Sequence, residues 1–181
     1  MTKLWSLLTL DDSERHFQGN KGYADELTRA YQWDQTVPNH KKVAEGDFVL
    51  LRNHEHVLGV AKISSIERWD ADKLRLRCPN CSSTGFKKRA TLVPKFRCPK
   101  CRTTFEEPIR ESLLGISFYR AHYEESFSPL RRPVLVVSIR HAYLSNASQH
   151  AIRELDLRAV QHVLQQEDAV STSFSWDQPA S

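Results

Sequence analysis

All four cysteines of this chain fall in two C-x-x-C pairs, Cys78-Pro-Asn-Cys81 and Cys98-Pro-Lys-Cys101, separated by sixteen residues. Each turn can present two sulfurs to one ion, and the intervening segment is long enough to bring the second pair back to the first. That is the spacing of a four-thiolate zinc site. Two disulfides or a redox pair would be the other use of the same residues. Four thiolates close a tetrahedron, so the Zn2+ expected here is structural and leaves no position for water or substrate. The metal is then what holds this segment together.

Charge singles out the same stretch. The formal net charge is only +4, yet residues 73–102 contain ten basic side chains and no acidic one. The rest of the chain carries sixteen basic and twenty-two acidic residues, a balance of −6. A zinc held by four thiolates adds about −2 and leaves the segment near about +8. A field so concentrated points to phosphate, whereas a merely solvated surface mixes both signs. The backbone-contacting candidates are Arg75, Arg77, Lys87, Lys88, Arg89, Lys95, Arg97, Lys100 and Arg102 in this stretch, with Arg52 upstream.

With 40% hydrophobic and 27% charged residues, a chain of 181 residues can hold one good core and a small appendage. The longest apolar stretches, residues 4–10 and 134–137, are far too short to span a bilayer. The N-terminus has neither the basic start nor the small-residue cleavage site of a secretory signal. Cysteines suited only to metal agree with a reducing compartment, so a cytoplasmic location without membrane contact is expected.

Apolar patterning predicts an entry strand over residues 4–8, a capped helical turn from Asp11 to Phe17 and a brief helix over 24–30. Residues 31–40 read as irregular, since Pro38 excludes regular helix. A strand over 47–52 and a returning strand over 57–66 form a hairpin, and Leu74 and Leu76 alternate with cations into the first knuckle. Residues 113–123 resume strand character, 133–139 read as a fully buried strand, and 151–165 as an amphipathic helix. The expected fold class is α+β: a barrel-like domain (residues 1–72 and 108–168) with short flanking helices, a zinc ribbon inserted at 73–107, and a loose tail or linker at 169–181.

A family resemblance rests on Gly19-Asn20-Lys21-Gly22-Tyr23, Tyr31-Gln32-Trp33-Asp34 and Val37-Pro38-Asn39-His40, followed by Glu45-Gly46-Asp47-Phe48-Val49 and Leu58-Gly59-Val60-Ala61-Lys62-Ile63. In this order they resemble the PUA-like superfamily, in particular the EVE- and SRA-like reader domains of HNH-type modification-dependent restriction endonucleases. The likeness covers roughly residues 1–70 and, more weakly, 132–165; the zinc ribbon departs from the family pattern. What it implies is a mixed β-barrel that binds double-stranded DNA and takes a flipped, modified base into an aromatic pocket. Tyr23, Tyr31, Trp33 and Trp69 would then replace lost stacking, and Asp34, Asn39 and His40 would read the base edge. Tyr31 and Trp33, two apart in extended backbone, point the same way, and the alternative to a cage is that they seal the barrel as an aromatic pair.

No nucleophile elbow, phosphate-binding loop or H-E-x-x-H occurs, and no cysteine is left over from the zinc site. Catalysis within the chain is therefore not expected; a fused nuclease domain would follow the last helix. The alternatives are an RNA-binding PUA-like domain and a protein-interaction module stabilised by zinc.

Overall fold

The computed structural model describes residues 2–9, 16–17, 20–21 and 25–176. In chain order the strands are β1 (Leu4–Leu8), β2 (His16–Phe17), β3 (Asn20–Lys21), β4 (Ala30–Asp34), β5 (Phe48–Arg52), β6 (His56–Lys62), β7 (Ser65–Arg77), β8 (Lys87–Lys88), β9 (Phe96–Arg97), β10 (Thr104–Phe105), β11 (Ile109–His122), β12 (Ser128–Leu135) and β13 (Ile152–Leu155). A 3-10 helix covers Val136–Ala142, and helix α1 covers Leu157–Gln166. The protein is thus mostly β with short helices, a mixed α+β architecture. Its sheets are open, and no closed barrel forms among the described residues.

The chain divides into two compact units. The first draws on Met1–Thr9, Ala24–Trp69 and Phe118–Ser181, the second on Leu10–Tyr23 and Asp70–Ser117. In the first, a five-stranded sheet runs in the order β12-β6-β5-β1-β13. β1 pairs parallel with β5, Leu4 opposite Phe48, and antiparallel with β13, Leu4 opposite Leu155. Every residue of β5 is buried, because a central strand covered on both faces must be apolar throughout. Alternation sorts its side chains: Phe48 and Leu50 join Leu4, Ile139, Val160 and Leu164 on one face. Val49 and Leu51 join Trp5, Leu7, Tyr31, Trp33 and Ala121 on the other.

Asp47 ties the entry strand down. Its carboxylate accepts from Trp5 Nε1 at 2.8 Å and from the backbone N–H groups of Lys3 and Ala44, each at 3.0 Å. Gly46, at φ +83°, makes the turn that presents it.

Several elements differ from the sequence expectation. Glu26 bridges to Ala30, and β4 runs through Asp34, so the described part of the expected 24–30 helix, residues 25–30, holds no helix and residues 31–34 are not irregular. Pairing with β11, Trp33 opposite Tyr119, overrides local preference there. The apolar run at 133–139 is not a fully buried strand: β12 is an edge strand, so Val134 is buried while Leu135 is exposed, and the chain then enters the 3-10 helix. The run expected as one helix at 151–165 is a strand followed by a helix, because Ile152 and Leu155 face β1. Asp156 caps α1 through a 2.9 Å bond from the Ala159 N–H. The stretch from 169 onward is not loose as far as Trp176: Phe174 and Trp176 pack edge-on against Phe48, with ring centroids at 6.2 and 5.2 Å. The expected turn at 11–17 lies largely outside the described residues.

Candidate metal centre and nucleic-acid interface

In the second unit, β8 and β9, between the two cysteine turns, and β10, after the second, form a small sheet in the order β10-β9-β8. The turns are built alike. Cys78 N–H donates to Ser83 O at 2.8 Å, and Cys98 N–H to Thr103 O at 2.9 Å. The residue after each second cysteine, Ser82 at φ +56° and Arg102 at φ +63°, takes the left-handed conformation that closes the knuckle. Beneath them Phe86, Phe96 and Phe105 pack on one another, with centroids 5.2–5.7 Å apart.

The four sulfurs lie within 4.8 Å of one another, with Cys78–Cys101 and Cys81–Cys98 each 3.6 Å apart. A disulfide needs about 2.05 Å, which removes the two-disulfide alternative. A tetrahedron with metal–sulfur bonds of about 2.3 Å has edges of about 3.8 Å, so the thiols are placed as a metal ion would require. Hydrogen bonds from the Thr103 and Asn80 side chains, then from the Thr103 backbone, draw the Cys101 thiol down to about 5. Cys81 goes the other way: a backbone bond from Ser83 pulls it down, but burial and the neighbouring thiols outweigh that and push it up to about 12.

Beside the knuckles is a groove of about 440 Å³ lined by Lys87, Lys88, Arg89, Arg97, Pro99 and Arg102. Lys87 stands directly opposite Arg97 across the β8–β9 pair. Like charges so placed repel each other, and no carboxylate lines the groove to relieve them. Arg89 is partly committed, with Nε donating to Pro94 O at 2.9 Å and Nη2 donating to the same oxygen.

Other expected backbone contacts are placed differently. Arg75 and Arg77 both bond Glu111 Oε2, at 2.9 and 2.6 Å, which holds the Glu111 carboxyl below its usual range, Arg77 contributing most. Lys95 and Lys100 are exposed but do not line the groove. Arg52 is not a surface cation: it is 6% exposed, with Nε on Ser6 Oγ at 2.9 Å and Nη1 on Asn53 O at 3.1 Å. It ends a central strand whose inward face continues into its side chain. Sequence reasoning missed Glu111, whose role depends on β11 returning alongside β7.

The expected base pocket does not form at the residues named for it. Tyr31 and Trp33 are 3% and 1% exposed. Trp33 stacks on Tyr119 at 5.5 Å and donates Nε1–H to His40 O at 3.1 Å; Tyr31 Oη donates to Leu8 O at 3.2 Å. They seal the core because β4 turns these alternate residues toward β1 and β5. Asp34 is buried, accepting from the Thr36 N–H and hydroxyl. Asn39, at φ +69°, donates to Ile152 O at 2.9 Å, and His40 Nδ1 lies 3.0 Å from Val37 O. Trp69 is 36% exposed and stacked on Phe118. Tyr23 lies outside the described residues.

A larger concavity in the first unit, about 660 Å³, is lined by Ser64, Ser126, Phe127, Arg131 and Phe174 among others. Several of its hydroxyls are engaged: Ser126 Oγ donates to Lys62 O, Ser64 Oγ to His122 O, and the Ser171 and Ser173 hydroxyls lie 2.7 Å apart. The clustered thiols and the groove of cations without a carboxylate both lie in the ribbon. Among the described residues no helix is long and apolar enough to cross a membrane. No protein-family model matches the chain, and neither a curated protein nor a solved structure matches it.

Proposed function

We propose that this chain is a double-stranded-DNA-binding module whose ribbon, folded around a structural Zn2+, grips the phosphate backbone. The observation that carries the reading is the groove in which Lys87, Lys88, Arg97 and Arg102 converge with no carboxylate. Such a site repels itself until an anion enters, and a polyanion answers several cations at once. The ribbon's rings support duplex over single strands: Phe86, Phe96 and Phe105 are spent on each other and offer no stacking platform for unpaired bases. Zinc suits four thiolates that have no open position, and it would fix the knuckles that carry Arg102 and Pro99 into the groove. A reader role in a restriction system rests on the PUA-like resemblance of the sequence alone, since Tyr31, Trp33 and Asp34 are interior.

The test is fluorescence anisotropy with a labelled duplex, comparing the protein with a K87A/K88A/R97A variant whose metal content is unchanged. Removal of three groove cations should weaken binding by about a hundredfold at moderate salt. Equal affinities, or a preference for single strands or for an RNA duplex, would overturn the reading.

A further inference from the structure

The loop between β8 and β9 ends in two bare apolar side chains. Val93 is 82% exposed, more than any other large hydrophobic residue among those described, and Leu92 is 60% exposed. They sit at the tip of a hairpin whose stem is cationic on both sides: Lys87, Lys88 and Arg89 precede the loop, and Lys95 and Arg97 follow it. The loop is braced rather than slack. Arg89 N–H donates to Lys95 O at 2.7 Å, and the Arg89 side chain clasps Pro94 O. The ribbon's own apolar interior is complete without the tip, being made of Phe86, Phe96, Phe105 and the cysteines.

A rigid apolar point above a ring of cations is matched by a partner whose surface is anionic and whose interior is apolar and accessible through a narrow opening. Duplex DNA is such a partner. Proteins that bend it push Phe, Leu, Ile, Met or Pro side chains between base pairs from the minor groove, while cations hold the flanking phosphates. The brace reduces the ordering cost of insertion. A second copy of this chain is a poor occupant, because it would bring the same cations against these.

We infer that Leu92 and Val93 form a wedge that enters a base step and kinks the duplex, with the groove of Lys87, Lys88, Arg97 and Arg102 holding the phosphates beside it. The inference rests on the DNA-binding reading of the ribbon and adds to it a consequence for DNA shape. The wedge acts at deformable steps, so its preference is for sequences or lesions that unstack cheaply rather than for particular base edges.

The experiment measures energy transfer between dyes at the two ends of a short duplex, together with affinity for an intact duplex and for one carrying a central nick. The protein should shorten the end-to-end distance and prefer the nicked duplex. An L92S/V93S variant should abolish the bend and bind the intact duplex about tenfold more weakly, the part of the apolar burial of two such side chains that the cost of unstacking a base step leaves, with its salt dependence unchanged. Retained metal content would show that its ribbon is folded. Binding without bending, or an L92S/V93S variant that bends DNA as well as the parent, overturns the wedge and leaves the ribbon reading standing. Failure to bind DNA at all overturns the ribbon reading itself. Capture of the parent but not of L92S/V93S by phosphatidylserine vesicles, with DNA bending equal in both, assigns the tip to a membrane surface and also overturns the wedge.

Discussion

Replacing Lys87 and Lys88 by alanine should change how steeply DNA binding responds to salt, and the size of that change follows from the groove. Five cations line it, and the guanidinium of Arg89 is held on Pro94 O, leaving Lys87, Lys88, Arg97 and Arg102 to meet phosphates. Each phosphate neutralised on a duplex releases condensed counterion and contributes about −0.9 to the slope of log affinity against log salt. Four contacts give a slope of about −3.6, a loss of about 150-fold between 50 and 200 mM salt. Two contacts give about −1.8, a loss of about 12-fold over the same range. The assay is anisotropy of a labelled duplex titrated at several salt concentrations. An R75A/R77A variant is the control: both side chains are already answered by Glu111, so the slope should stay near that of the parent. A parent slope shallower than about −1.5, or a K87A/K88A slope equal to the parent's, would refute the assignment of these lysines to phosphate.

Cys98→Ser should abolish stoichiometric zinc binding and remove hydrogen-exchange protection from β8–β10, because a structural zinc is worth about 10–16 kcal/mol of folding and three phenylalanines cannot replace it. Trp33→Ala should lower stability by about 3–5 kcal/mol in denaturant titrations and leave the DNA affinity of the folded protein unchanged, as expected of a core side chain 1% exposed. Gly59→Ala should cost about 1–3 kcal/mol in the same titrations. Its Cβ would lie 2.7 Å from the Phe127 ring, which can shift, and 2.9 Å from the Ser128 carbonyl oxygen, which β6–β12 pairing holds in place. Glu111→Gln should lower the melting temperature at neutral pH. Bonds from Arg77 and then Arg75 depress the Glu111 carboxyl, so its contribution is full above the ordinary carboxylate range and is lost as pH falls through the depressed value. The gap between parent and variant should therefore close in acid; a gap that widens as pH falls would contradict the sign.

Where the sequence was legible, the signal was local. The two cysteine turns and the strand at β5 are written in consecutive residues, as spacing in one case and an unbroken apolar run in the other. Reading failed where a residue's neighbours come from far along the chain. The 133–139 run looked fully buried because apolar content does not reveal that β12 is an edge strand with one covered face. Residues 151–165 have helical spacing throughout, yet pairing of Ile152 and Leu155 with β1 outweighs it for the first four residues of strand. Tyr31 and Trp33 point the same way, as their spacing requires; only the sheets they lie between decide that this way is inward.

The amino-acid order alone thus determined that four sulfurs come within metal-binding distance of one another, and that an acid-free run of cations accompanies them. Tertiary structure decided which cations remain available: it returned Glu111 to Arg75 and Arg77, buried Arg52 against Ser6, and left Lys87, Lys88, Arg97 and Arg102 around an open groove. The physical reason is range. Ligand spacing in a turn is fixed by a few adjacent backbone torsions, whereas the burial and pairing of a charge depend on strands dozens of residues away.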